Sequence, residues 1–519
     1  MEHLKQLKER LIEIHNLNAA AALLGWDQQT YMPPGGAGHR AAQLATLSRI
    51  SHEMFTAEET GRLLEAAEAE GSDLDYDSDD ASLLRVARHD YDLATRVPTD
   101  LVAEITHVTT LAFEEWAKAR ANSDYQAFRP WLEQIVDLNR RKAEHLGYED
   151  RIYDALLDQY EPGMKTAQVQ AVFDELKAGQ MPLIHAIAGQ VDRVDNAILR
   201  RDYDEEKQHE FGLEVARRLG YDFQRGRLDR AVHPFTTGFG SNDVRITTRY
   251  DRNWLPGSLF GTIHETGHAL YEQGSADSIS GTPLEGGTSL GIHESQSRLW
   301  ENLVGRSRGF WEFFLPRLKE YFPEALADVD LDTFYRAINR AQPSLIRVEA
   351  DEVTYNMHVI IRFEMENDLL EGKLSVADAP DAWNARYEEY LGVTPPDDAQ
   401  GILQDVHWAG GMIGYFPTYT LGNVLSVQFF EKAVADRPEI PEQISRGEFG
   451  DLLSWLQENI YRHGRKYMPA ELIERVTGET LSAKPYLAYL RRKYGEIYRD
   501  IGAKAPGFSR GDEAPPAFP

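Results

Sequence analysis

The chain has 519 residues, 42% of them apolar, with a formal net charge of −29 and no cysteine. Such acidity argues against a nucleic-acid partner, because a phosphate backbone is bound mainly through lysine and arginine. The lack of cysteine excludes disulfides and thiolate metal sites and points to a reducing compartment.

No run of roughly eighteen apolar residues occurs, and the start MEHLKQLKERLIEIHNLN is amphipathic and charged, so a soluble, cytoplasmic protein without membrane contact is expected. No proline- or glycine-rich linker divides the chain. Residues 1–505 are therefore expected to form one unit of interlocked helical lobes, and 506–519 a flexible proline-rich tail. Residues 1 to 30 read as one helix with Leu4, Leu7, Leu11, Ile14, Leu17, Leu23 and Leu24 facing inward, stopped by Met32-Pro33-Pro34-Gly35-Gly36. Helical patterns resume over 38–70, 80–121, 124–146 and 167–192, with Pro98-Thr99-Asp100 marking a start inside the second of these.

The texture changes between 221 and 254. Alternating Val244, Ile246 and Thr248 predict a short strand over 243–250, either an edge that takes up an extended peptide or a small structural hairpin. His233 and Arg245 are candidate substrate contacts there.

Next comes SLFGTIHETGHALYEQG, with His264-Glu265-Thr266-Gly267-His268 at its centre. Histidines four apart lie on one helical face and reach a single tetrahedral ion, while Glu265 is offset enough to miss the ion yet able to take a proton from water on it. Leu259, Phe260, Ile263, Ala269, Leu270 and Tyr271 make this helix apolar on most sides. Burying two imidazoles and a carboxylate is costly unless a cation satisfies them. A third ligand is required, and Glu294 in GIHESQSRLWENLVG, first after a glycine- and serine-rich loop, competes with Glu301 for that place.

The stretch SLIRVEADEVTYNMHVIIRFEMENDLL reads as one long helix with Arg347, Asp351 and Tyr355 on a stripe. Arg347 then either pairs with Asp351 or is oriented by it to hold a carboxylate. GILQDVHWAGGMIGYFPTYTLGN interleaves Gln404, Asp405, His407, Trp408, Tyr415 and Tyr419 with glycines, as suits a pocket wall in which a tyrosine hydroxyl donates to an oxyanion.

HPF at 233–235, DVRIT at 243–247, HETGH at 264–268, HESQ at 293–296, IRVEAD at 346–351 and GILQDVHW at 401–408 resemble, in order, the motif set of the carboxypeptidase Taq family of metallocarboxypeptidases. WDQQTYMPPGG at 26–36 fits as well. The resemblance implies a mainly α fold, a large helical peptidase with a deep groove and a small β-sheet beside the HEXXH helix, similar to neurolysin and angiotensin-converting enzyme, and assembled as a homodimer. It implies release of single C-terminal residues from peptides with broad side-chain tolerance. By it His264, His268 and Glu294 bind zinc, or cobalt in some relatives, and Glu265 is the general base. Arg347 holds the terminal carboxylate with help from His407, either Tyr415 or Tyr419 serves the oxyanion, and Arg245 in DVRIT bears on substrate length. An endo-acting oligopeptidase or dipeptidyl carboxypeptidase with the same metal site is the alternative, and a binding protein that lost the chemistry a further one.

Overall fold

The computed structural model describes residues 1–498, so the tail expected at 506–519 lies outside the described residues. The architecture is helical with one small sheet. No described helix is long and apolar enough to cross a membrane.

The first helix, Glu2–Thr30, lies with Ala37–Thr56, Glu58–Glu70 and Asp79–Arg96 around a small core of its own. Leu4, Leu7 and Leu11 meet Leu64, Leu83 and Leu84 there, joined by Ile279 and Leu284 from the loop that follows the HETGH helix. Ser78 starts the fourth helix by accepting the Ala81 N–H, and Asp79 and Asp80 favour its positive end. The first helix outruns this core, which is why Leu23, expected inside, is exposed. Its far end is tied down again where Trp26 is buried under the guanidinium of Arg245, 4.3 Å above the ring. The start expected at Thr99 is observed, in helix Thr99–Asn122.

The larger core runs from Val97 to Tyr498, and the HETGH helix, Leu255–Gln273, lies within it. Leu259, Phe260, Ile263, Ala269, Leu270 and Tyr271 are all buried; at roughly 1.5–3 kcal/mol for each fully buried large apolar side chain, that face fixes the helix in place. The next helix, Leu290–Arg298, is clasped on both sides. A Cβ at Gly267 would stand 2.7 Å from the Gln296 carbonyl oxygen, and one at Gly422, on helix Pro417–Asp436, 2.5 Å from Glu294 Cγ. Only glycine permits both approaches.

Three strands make the sheet, in the order β1 (Leu228–Arg230), β3 (Val244–Thr248), β2 (Thr236–Gly238). β1 pairs parallel to β3, Leu228 opposite Ile246; β2 pairs antiparallel, Thr236 opposite the same Ile246. The strand expected over 243–250 is thus β3, shorter and central rather than at the edge. Val244 and Ile246 are fully buried on the side of the HETGH helix.

The long helix expected from Ser344 onward begins only at Tyr355. Asp351 is the reason: its carboxylate accepts the N–H groups of Gln342, Val353 and Thr354, which turns the chain instead of letting it coil. Arg347 therefore stands in a 3₁₀ turn, Arg347–Glu349, and its expected pairing with Asp351 does not form. Beyond Arg298 the Glu294 helix also widens into a π turn, Leu299–Gly305. Such turns gather at functional sites.

Candidate metal centre and the adjoining anion pocket

His264, His268 and Glu294 come together with one ligand atom of each within 4.8 Å of the others. Glu294 Oε2 is 3.6 Å from His264 Nε2 and 3.4 Å from His268 Nε2. A tetrahedral ion with bonds of about 2.1 Å separates its ligand atoms by about 3.4 Å, so the spacing fits a zinc-sized cation. Glu301, the competitor for third ligand, lies behind the imidazole instead: its Oε2 is 2.9 Å from His264 Nδ1.

The proton positions follow from these partners. His264 donates from Nδ1 to Glu301, leaving Nε2 with a lone pair toward the cluster. His293 donates from Nε2 to Glu272 Oε1 at 2.7 Å and accepts at Nδ1 from His268 Nδ1 at 2.6 Å, so His268 also turns a bare Nε2 inward. Burial pushes His268 down to about 3, which keeps it neutral. Burial opposes the charge on Glu294, yet Arg298 and His264 outweigh it and hold that carboxyl well below the usual range.

Charge shows what the cluster lacks. Three buried carboxylates, Glu265, Glu294 and Glu301, face two guanidiniums, Arg298 and Arg306, which bond Glu294 and Glu301. With the imidazoles in the neutral form that metal ligation requires, the site is one positive charge short, and a divalent ion makes up the deficit with one unit left for an anionic ligand. Glu265 shares the helix but not the ligand face. Its Oε2 accepts the Thr236 hydroxyl of β2 at 2.7 Å, and burial raises its pKa. A buried carboxylate of raised pKa, held beside a metal position, has the properties of a general base.

A second cluster adjoins the first. Arg347, 4% exposed, donates from Nε and from one terminal nitrogen to Asp405 Oδ1 at 3.1 and 2.8 Å, and from the other to the Tyr355 hydroxyl at 2.8 Å. Asp405, not Asp351, is its carboxylate partner. The second oxygen of Asp405 accepts Arg362 Nε at 2.6 Å. One carboxylate thus serves two buried guanidiniums, and they hold it far below the usual range against the effect of burial. His407 adds no charge, since burial lowers it to about 4; it faces the Tyr419 hydroxyl at 3.1 Å from Nε2, while its Nδ1 has no partner among the described residues. Glu366, beyond Arg362, accepts Tyr153, Trp408 and the Gly414 N–H and is pushed up to about 7 by burial. The pocket carries surplus positive charge and calls for an anion.

Tyr355 joins the two clusters. Its ring lies 4.7 Å from the Arg298 guanidinium and its hydroxyl accepts from Arg347. Tyr419 covers Arg347 with its ring at 4.8 Å. Tyr415 packs edge-on against Tyr160 at 5.2 Å and is raised by burial, with Glu294 the largest charge acting on it. Of the remaining sequence candidates, Arg245 is held by Asp243 at 2.8 Å and by the Trp26 ring, and His233 is exposed in the loop between β1 and β2. Nothing in the sequence singles out Thr236 or Arg362. Arg298, also missed there, leaves one local signal, its place four residues beyond Glu294.

A family model for carboxypeptidase Taq (M32) metallopeptidases matches residues 6–494. The chain belongs to this family. It is 47% identical over 494 residues to thermostable carboxypeptidase 1 of Thermus thermophilus, covering 93% of this chain and 96% of that one. Carboxypeptidase 1 of Bacillus subtilis is 40% identical, covering 95% and 98%. Among solved structures, the M32 carboxypeptidase from Deinococcus radiodurans superposes with a TM-score of 0.93 at 46% identity, over 96% of this chain and all of that one. Membership in a metallopeptidase family implies a metal ion, and His264, His268 and Glu294 form a cluster that could hold one.

Proposed function

We propose that the protein is a metal-dependent carboxypeptidase releasing single C-terminal residues from peptides, with the broad side-chain tolerance its family resemblance implies. The observation that carries this reading is the shared carboxylate. Two buried guanidiniums on Asp405 leave uncompensated charge beside the metal cluster, and a peptide that delivers its α-carboxylate there is favoured over one that threads past. Three of the five N–H groups of Arg347 are used within the protein, which leaves one on each terminal nitrogen for a bidentate grip. Tyr355 spans from this guanidinium to the one that holds Glu294. A dipeptidyl carboxypeptidase, the runner-up, needs its anchor about one further residue, some 3.5 Å, away.

His264, His268 and Glu294 would bind zinc, or cobalt, which when bound supplies an acidified water and polarises the scissile carbonyl. Glu265, steadied by Thr236, takes the proton from the attacking water and returns it to the departing amine. A tyrosine hydroxyl donates to the carbonyl oxygen as charge develops on it. Tyr415 suits this better than Tyr419, whose ring covers Arg347. His407, neutral, orients Tyr419 beside the bound carboxylate. Arg245 stands opposite Thr237, next to the residue that steadies Glu265, and is assigned to the distal part of the peptide together with exposed His233. A cytoplasmic homodimer completes the proposal, and sedimentation measures the assembly.

The test is digestion of a peptide and its C-terminally amidated twin by zinc-loaded protein, read by mass spectrometry. One-residue ladders from the free acid alone, abolished by a chelator, are expected. Dipeptide or internal cuts would establish the runner-up, and intact peptide in the presence of metal would mean a binding protein.

A further inference from the structure

Glu294 has two oxygens and only one of them faces the imidazoles. Oε2 lies 3.6 and 3.4 Å from the two Nε2 atoms, while Oε1 accepts Arg298 Nε at 2.7 Å from the next turn of the same helix. Arg298 is itself held by its neighbours. A terminal nitrogen reaches Glu301 Oε2 at 3.4 Å, the same oxygen that accepts His264 Nδ1, and the guanidinium plane lies 4.7 Å from the Tyr355 ring. Its side chain is 16% exposed, and the two carboxylates and the Tyr355 ring hold it in place.

Left to itself, a carboxylate beside a divalent ion can bind through one oxygen or through both. A second oxygen from Glu294 would take the position a catalytic site keeps open for water. We infer that Arg298 is a positioning residue that holds Glu294 to one-oxygen ligation and, through Glu301, sets the orientation of His264. The inference rests on the reading of His264, His268 and Glu294 as metal ligands. It explains why a full positive charge is buried beside a cation site: the guanidinium fixes the geometry of two ligands at once, which hydrophobic packing at that position does not achieve. The fork matters as much as the charge, since one ammonium lacks the spread to bond Glu294 Oε1 and Glu301 together.

The test replaces the native metal with Co2+ and reads its visible absorption, which weakens as the ion passes from four ligands to more. Full-length wild type should take up one equivalent with the strong band of a four-coordinate ion. Arg298→Met should bind Co2+ with a weakened, shifted band, and Arg298→Lys, which keeps the charge without the fork, should give an intermediate band. Thermal melting of each apoprotein runs in parallel. A purely structural Arg298 lowers the melting temperature and leaves the band unchanged, and that result overturns the inference. Should Arg298→Met fail to fold, the band of Arg298→Lys decides in the same way. Wild type that takes up no Co2+ removes the metal reading and this inference together, whereas normal wild-type uptake with unaltered variant bands removes this inference alone.

Discussion

The metal end and the anion pocket touch the same tyrosine and are built in different ways. At the metal end every proposed ligand sits on a helix, two of them one turn apart and the third on a neighbour brought close by Gly267 and Gly422. The anion pocket is made of turns: Arg347 in a 3₁₀ turn, Asp405 and His407 in the irregular stretch before helix Pro417–Asp436, drawn together by ion pairs between residues 58 and 43 apart in the chain. Helical spacing fixes the first almost by itself. The second exists only because buried charge finds its partner, so the two should fail differently when cut.

The largest effect is expected at the metal end. Glu265→Gln keeps the proposed ligands and removes the proposed base, so turnover should fall by about 10²–10⁴-fold at unchanged metal content. Near-normal turnover in that variant, measured beside its zinc content, would take the base role from Glu265. Arg347→Ala is the corresponding cut in the pocket and should leave metal binding intact. Loss of one partner of a buried pair costs about 2–5 kcal/mol, read here as lower kcat/KM for free-acid peptides, mainly through KM. A loss confined to kcat would move Arg347 out of the anchor and into the chemistry.

Gly267→Ala tests the helix clasp. Alanine gains about 1 kcal/mol of helix propensity, but its Cβ meets the backbone of Gln296 and Ser297 at 2.7 Å, where nothing flexible can yield. Overpacking of about 1–3 kcal/mol should win, with a lower melting temperature and weaker metal binding together. A stabilised variant would show that the clasp has slack.

The last effect concerns pH. Glu366 is pushed up to about 7 in the folded state, above the usual carboxylate value of about 4.3 in an unfolded chain. Between those values the folded protein holds a proton the unfolded one has lost, so this group makes stability fall as pH rises through that window, by about 1.4 kcal/mol per pH unit, and then level off. Glu366→Gln should remove that share of the slope in unfolding measured between pH 5 and 7. Equal slopes in variant and wild type would mean that Glu366 is ionised throughout.

The same contrast explains what is legible in the sequence. HETGH, its apolar flanks and the helix starts expected at residue 80 and at Thr99 are written in neighbouring residues, and the structure starts those helices at Asp79 and Thr99. β1 and β2, three residues each, are too short to leave a pattern. The helix expected to carry Arg347 fails because Asp351 spends its carboxylate on backbone N–H groups, something that spacing on an assumed helix cannot reveal. Asp405 as the partner of Arg347 is a matter of tertiary distance. Periodicity alone places Leu23 inside, and it carries no information on where the small core ends.

The central claim is that one end of the site cuts while the other selects the free carboxylate. The most direct measurement compares kcat/KM for a peptide and its C-terminal amide in zinc-loaded wild type and Arg347→Ala. Strong preference for the free acid in the wild type, lost in the variant with zinc content unchanged, is the expected result. Equal cleavage of acid and amide by the wild type, or a preference that survives in Arg347→Ala, would contradict it.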